Sequence, residues 1–446
     1  MEPAITIGFG SAVLTWVFAW LLHMPGVHVG STIAIPILMA PLLVLSLVWL
    51  SGVTGSNRIL VGGLGGLIAG LVNLLILGSD IVQQPESTAE MSEQANTLAP
   101  NALVTALGSI ALSIVIGVIA GAICQRKQSN EIQPATIWRA RFAWITALTY
   151  LPLIAVGGVV TTTDSGLAVT DAVTSYGAIS VLFPLKLMAE PHIFFEHSHR
   201  LFGTLAGITT LVLMLRVLIA EPRKVPKALS VVLFLAVSLQ GYMGIIRVAE
   251  QSTFFAIVHG IFAQLVLSLA FAIAIFLSKS FVDADPDDET INAAKRARTI
   301  LLLTFLALVV QLTLGAVTRH LNSSHAMMAH MGFSFVATVL VIVGGAMCIR
   351  TGKAHPSAKP IRPFGSVLHG LVVLQFTLGF AVLGLAWQGE DAPEILTAEM
   401  LDTAPPIETV PALVTTAHHI NGALLLAAAT GAMIWSFKLA IRRKIR

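Results

Sequence analysis

Charged residues are scarce in this 446-residue chain: Asp, Glu, Lys and Arg make up 11% of it, against 56% hydrophobic residues. A soluble domain carries about 25% charged residues, so this composition cannot build a water-exposed surface. The mean hydropathy of +0.85 agrees, and the chain reads as a polytopic membrane protein with lipid as its main solvent. Cysteine is scarcer still. Two residues, Cys124 and Cys348, exclude a disulfide framework, an all-cysteine zinc site and a cysteine-ligated iron–sulfur cluster, each of which needs more thiols. Both lie beside basic residues where cytoplasmic helix ends are expected, and they read as reduced bystanders. The first apolar run lacks a basic n-region, and the Arg- and Ser-rich composition of a mitochondrial transit peptide is also missing. No cleavable targeting segment is expected, and a bacterial plasma (inner) membrane is the expected location. The net charge of +3 resides in short loops, which reports membrane orientation and gives no reason to expect nucleic acid.

Twelve apolar runs have the ~20 residues needed to cross a ~30 Å hydrocarbon core. They are 5–22, 32–51, 59–78, 103–124, 142–161, 196–219, 226–247, 254–278, 299–318, 328–349, 364–387 and 412–440. The fold class is all-α, multi-pass, with the last eight helices as two pseudo-symmetric four-helix bundles. Short basic loops are retained in the cytoplasm. Clusters at Arg126, Lys127, Arg139 and Arg141, at Arg223, Lys224 and Lys227, at Lys295 to Arg298, at Arg350 to Arg362 and at Arg442 to Lys444 mark that side. They alternate with acidic segments at 79–102 (Asp80, Glu86, Glu90, Glu93) and 388–411 (Glu390, Asp391, Glu394, Glu399, Asp402). Both termini are thus expected to be cytoplasmic. The expected organisation is a four-helix region at 1–125 with no assigned role, a linker at 126–141, a bundle at 142–280, a linker at 281–298 and a second bundle at 299–446.

The repeat rests on small signals in the same order. Val156-Gly157-Gly158-Val159-Val160-Thr161 ends helix 5, and Leu314-Gly315-Ala316-Val317-Thr318-Arg319 ends helix 9. Gln-x-x-x-Gly recurs at Gln240/Gly244, Gln311/Gly315 and Gln375/Gly379, as close helix packing in lipid favours. Intramembrane polar residues are costly and mark functional sites by default. His199, His259, His330 and His418 all fall near the starts of helices expected to enter from outside, so they share roughly one depth. Two histidines on neighbouring helices at one depth are what axial ligation of a haem requires, and two such pairs suggest two porphyrin sites. Cross-helix hydrogen bonding explains any one of them as well, but not four at repeat-related positions. Zinc fits less well, because a catalytic zinc needs three clustered ligands.

His197 and His419 stand so close to His199 and His418 that a helix points their rings elsewhere, leaving one ligand in each doublet. Glu196 shares a helical face with His199. It suits a general acid/base or the stabilisation of a developing cation, or else interfacial pairing with Arg200. Arg200, Arg247 and Arg319, near outer helix ends, suit porphyrin propionates or snorkelling to the interface.

Val156 to Thr161, then Ser165-Gly166-Leu167-Ala168-Val169, then Phe194-Phe195-Glu196-His197-Ser198-His199-Arg200-Leu201 resemble the first half of the haem A synthase family. That family shows a Gly-Gly-x-Val-Thr stretch, a Gly-Leu-Ala-Val-Pro-Asp-Trp-Pro loop and a Glu-x-x-His-Arg helix start. The similarity extends over roughly 140–440. It implies that His199 rather than His197 is the ligand, and that the bundle with His199 and His259 receives haem O as substrate. The bundle with His330 and His418 would carry haem b. Glu196 would be the catalytic carboxylate, and the reaction would oxidise a porphyrin methyl to a formyl group, giving haem A for terminal oxidases. Implied partners are a quinol or small redox protein, the haem O synthase and oxidase assembly factors. A dihaem b-type electron carrier and a haem-handling assembly protein are the alternatives. Three departures stand out: Thr170-Asp171-Ala172-Val173 replaces Pro-Asp-Trp-Pro, the outer-loop cysteine pair of some members is absent, and the segment between Arg319 and helix 10 is short. The last leaves His320 and His325 beside His330 as candidates opposite His418. The first four helices lie outside the resemblance.

Overall fold

A computed structural model describes residues 1–53, 57–87, 90, 95–125, 134–169, 171–321, 323–386, 400, 401, 404 and 406–442. Thr170, Arg126, Lys127, Glu93, Glu390, Asp391, Glu394, Glu399, Asp402, Arg443 and Lys444 lie outside the described residues. Twelve described helices are long and apolar enough to cross a membrane: α1 Glu2–Leu22, α2 Ser31–Leu50, α3 Arg58–Leu77, α4 Ala102–Gln125, α5 Ala135–Thr162, α6 Pro191–Ala220, α7 Lys224–Ala249, α8 Thr253–Leu277, α9 Asp288–Leu321, α10 Ser324–Ala354, α11 Arg362–Ala386 and α12 Thr409–Leu439. The chain is a multi-pass membrane protein.

Three helices start five or more residues earlier than hydropathy predicts. α5 and α9 take in 135–141 and 288–298, segments read from sequence as linker. Arg, Lys, Glu and Ala are good helix formers, so these turns continue as helix although hydropathy registers only the apolar core. α6 starts at Pro191, whose missing N–H suits a first helical position. Glu196 therefore stands inside the helix and not at its opening.

The chain divides into two compact units, 1–219 with 395–404, and 220–394 with 405–446. In the first, α1, α2, α4 and α3 form a ring of touching neighbours, and α5 packs on α1. Glycine makes that ring tight. A β-carbon on Gly62 would stand 2.1 Å from the Gly117 carbonyl oxygen, and one on Gly66 would stand 2.2 Å from that of Ser113. Without a hydrophobic force between helices in lipid, such close approach supplies the packing. Gly66→Leu puts a side chain against backbone that cannot yield. Its expected cost is about 1–3 kcal/mol or more, seen as a lowered Tm in detergent; an unchanged Tm contradicts the packing role.

Aromatic contacts run from α1 to α5 and α6. Phe9 meets Phe142 edge-on at 5.5 Å, Trp16 meets Phe202 at 6.1 Å, and Trp20 stacks on Phe194 at 6.1 Å. Near the other end of α6 the buried Arg216 pairs with Glu2 and lies 4.4 Å over the Phe142 ring. In the second unit, α9 to α12 close into a four-helix bundle, each touching the next and α12 returning to α9; α8 packs on α7, α9 and α12. Cys124 and Cys348 are buried free thiols.

Candidate functional site

Each of the four predicted histidines lies about two to three turns from the N-terminus of its helix, α6, α8, α10 or α12. Each ring rests on a glycine of the preceding helix. A β-carbon on Gly157 would meet His199 Cε1 at 2.8 Å, and one on Gly315 would meet His330 Cε1 at 2.9 Å. The corresponding distances are 3.2 Å from Gly244 to His259 and 3.3 Å from Gly379 to His418. The repeat is therefore a hairpin used four times, and the glycine of Gln-x-x-x-Gly serves a histidine ring and not only helix–helix approach. His330 and His418 come together, with ring centroids 6.4 Å apart and ring planes inclined at 74°.

The structure separates the doublets. His197 is buried, lies 4.5 Å from the Phe183 ring and shares a 3.1 Å hydrogen bond with Ser175. His199 is the member on a glycine seat. His418 likewise, and not His419, occupies Gly379. His325 is exposed in the first turn of α10, and His320 is half-buried in the last turn of α9. Arg247 and Arg319 are half-buried in the last turns of α7 and α9.

Glu196 and Arg200 hold the 163–190 loop. Glu196 is buried; its Oε2 accepts from the Val169 N–H at 2.7 Å and its Oε1 from Arg200 Nη2 at 2.7 Å. Arg200 also donates to the main-chain oxygens of Asp171 and Thr174, both at 2.7 Å, and of Val169 at 3.2 Å. Its terminal nitrogens are thus directed at the loop. Asp171 Oδ2 accepts from Thr174 Oγ1 at 2.6 Å and from the Gly177 N–H at 2.7 Å. Tyr176 and Gly177 take positive φ of 50° and 80° in a two-residue turn closed by Ser175 and Ala178, a conformation glycine accepts without steric cost. The Tyr176 hydroxyl donates to the Ala168 carbonyl at 2.7 Å. Burial first, then nearby Glu196, pushes that phenol up to about 12, so it remains a donor. A loop without the family's prolines is held here by hydrogen bonds.

The bonds from Thr174 and Gly177 hold the Asp171 carboxyl below the usual carboxylate range. A depressed folded-state pKa contributes stability above the unfolded value near 3.8, and that contribution is lost as pH falls through the folded value. Proteolysis of the loop in intact protein is expected to stay slow down to about pH 4. For Asp171→Asn it is expected to be faster at pH 7, and equal rates at pH 7 would contradict the anchor.

The segment after α3 braces the same loop, which no sequence signal announced. Leu185 N–H donates to Ser79 O at 3.1 Å, Ile179 N–H to Asn96 Oδ1 at 2.8 Å, and Lys186 N–H to Gln84 Oε1 at 2.9 Å. Lys186 also pairs with Glu86. Gly78 lies so close to the Val181 carbonyl that a β-carbon there would stand 1.8 Å from it. The segment after α3, in a region with no role legible in the sequence, therefore supports the loop that Glu196 and Arg200 pin.

Residues 140–336 match the COX15-CtaA family, described as cytochrome oxidase assembly protein. The matched stretch contains Glu196, His199, His259 and His330, and ends before His418. No curated protein and no solved structure is significantly similar to the chain.

Proposed function

We propose that this chain, whose residues 140–336 match the COX15-CtaA family, is a membrane oxidoreductase of the haem A synthase kind. It would take haem O as substrate on His199 and His259 and carry haem b on His330 and His418. The observation that carries this reading is the pairing of His330 with His418. Two metal–imidazole bonds of about 2 Å each, plus about 1.1 Å from each nitrogen to its ring centre, give roughly 6 Å between centroids. The 6.4 Å separation fits an iron between the rings.

Bound haem b would supply one-electron chemistry; the remaining work falls to the chain. His199 and His259 would orient the substrate macrocycle. Glu196, bonded by Arg200 and the Val169 amide, would place negative charge one turn from His199, where positive charge would develop as a methyl group is oxidised. The 163–190 loop, fastened to Glu196, would keep water from that end of the site. Arg247 and Arg319 suit the propionates. A quinol or small redox protein is the expected electron partner, with the haem O synthase and oxidase assembly factors as neighbours.

One observation favours a second reading. Both oxygens of Glu196 are engaged by the loop and Arg200, as a purely structural pin would be, and such a protein would bind haem without oxidising it. Co-expression with a haem O source, followed by pigment extraction and mass analysis, separates the two. Haem A is expected; haem b with unmodified haem O selects the second reading.

A further inference from the structure

A fifth histidine sits in a glycine notch, toward the opposite end of α10 from His330. A β-carbon on Gly345 of α10 would stand 2.6 Å from Nε2 of His369 on α11, and that nitrogen lies 2.9 Å from the main-chain oxygen of Ile342. A carbonyl only accepts, so Nε2 carries the proton and the neutral ring keeps a lone pair on Nδ1. The helices meet backbone against backbone here, since a β-carbon on Gly365 would overlap the Gly345 carbonyl. Beside this crossing lies a groove of about 540 Å³.

The groove follows one stripe of α10. Ala346, Ile349, Arg350 and Lys353 line it together with His369, at the three- and four-residue spacings that share a helical face. Arg350 and Lys353 are exposed, and among the described residues neither forms an ion pair. Followed back along α10, the same stripe turns apolar: Ile342, Val339 and Phe335 are exposed. The end of a membrane-spanning helix thus offers two cations, a hydrogen-bond acceptor and an apolar track in one line. Snorkelling and the helix dipole each account for a cation at a helix end. Neither calls for a groove walled by a histidine from the next helix.

We infer that this groove is a binding site for an anionic glycerophospholipid, with the phosphodiester on Arg350 and Lys353 and an acyl chain along Ala346, Ile342 and Val339. Basic pockets between transmembrane helices hold anionic headgroups in this way. A free phosphate would match the cations but leave the apolar track uncovered. Phosphatidylcholine would bring its own ammonium to a site that already has two cations. Phosphatidylglycerol brings none, and its glycerol hydroxyl can donate to His369 Nδ1. A lipid bound across the Gly345/Gly365 crossing adds to the hold between α10, which carries His330, and α11, which carries the Gly379 seat. The inference goes beyond the haem chemistry proposed above and does not rest on it.

The test uses the purified full-length protein in detergent, titrated with phosphatidylglycerol or with phosphatidylcholine of the same acyl chains and followed by native mass spectrometry. The parent is expected to retain phosphatidylglycerol in preference; equal retention of the two would overturn the inference. One basic residue near an anionic lipid is worth roughly five-fold in affinity, so the double variant Arg350→Gln, Lys353→Gln is expected to bind about 30-fold more weakly. Lys224→Gln with Lys227→Gln removes the same charge at the start of α7 and should leave binding unchanged. Equal weakening in the two double variants would assign the effect to overall charge and overturn the site. Ala346→Leu keeps both cations and fills the track, and should weaken phosphatidylglycerol several-fold; parental affinity in that variant would overturn the placement of the chain. Glycerol phosphate, added as competitor, should not displace the lipid at equal concentration, and displacement would make this a soluble-phosphate site instead. None of these outcomes bears on whether the protein makes haem A, which pigment analysis decides separately.

Discussion

Glu196→Gln is expected to leave a folded, haem-containing protein whose haem A production falls by about 10²- to 10³-fold, the usual effect of removing one group that stabilises charge in a transition state. The amide is nearly isosteric with the carboxylate, and its oxygen can still accept from the Val169 N–H, which bonds Oε2 at 2.7 Å in the parent. Arg200 keeps its three bonds to main-chain oxygens of the loop. The substitution therefore removes charge while leaving most of the anchoring in place. Glu196→Ala removes both, and should also make the 163–190 loop more sensitive to protease. Haem A at parental levels in a strain carrying Glu196→Gln would sink the catalytic assignment and leave the carboxylate as a loop pin.

His418→Ala should remove about one haem per protein together with the low-spin bis-imidazole signal, because two axial nitrogens define that state. His419 cannot take over. Adjacent residues are about 100° apart around a helix, and only His418 occupies the Gly379 seat opposite His330. His330→Ala should give the same loss, and the double variant should be no worse than either single one, since the two rings act as a pair. An unchanged low-spin spectrum in His418→Ala would take His418 out of the ligand set.

Much of the architecture is a property of local composition. Crossing lipid requires about 20 apolar residues whose backbone groups are satisfied within the segment, so each helix announces itself by hydropathy. The errors fall at the polar helix ends, as at 135–141, 191–195 and 288–298, where helix continues beyond the apolar core. The histidines were legible for the same reason: polar groups are rare and expensive inside a membrane, and four of them recurred near the starts of helices.

Relations between segments distant in the chain have no such local mark. The Gln-x-x-x-Gly spacing was visible in the sequence, but a glycine that lets two backbones approach reads the same as one that seats an imidazole; only the placement of His259, His330 and His418 over Gly244, Gly315 and Gly379 decides between them. The choice of His199 over His197 had a family resemblance behind it and no periodicity, and it is the rings' surroundings, Gly157 for one and Ser175 with Phe183 for the other, that tell them apart. The 163–190 loop has no proline at 170–173 to stiffen it locally. Its order comes from Arg200, Asp171 and the segment after α3, whose hydrogen bonds join residues up to about a hundred positions apart. Hydropathy and residue type thus determined by themselves that this chain spans a membrane and carries histidines within its apolar helices. Tertiary structure alone decided which histidines are seated on glycines and that the segment after α3 supports the loop bound to Glu196, because directional hydrogen bonds and ring contacts depend on position in space and not on neighbours in the chain.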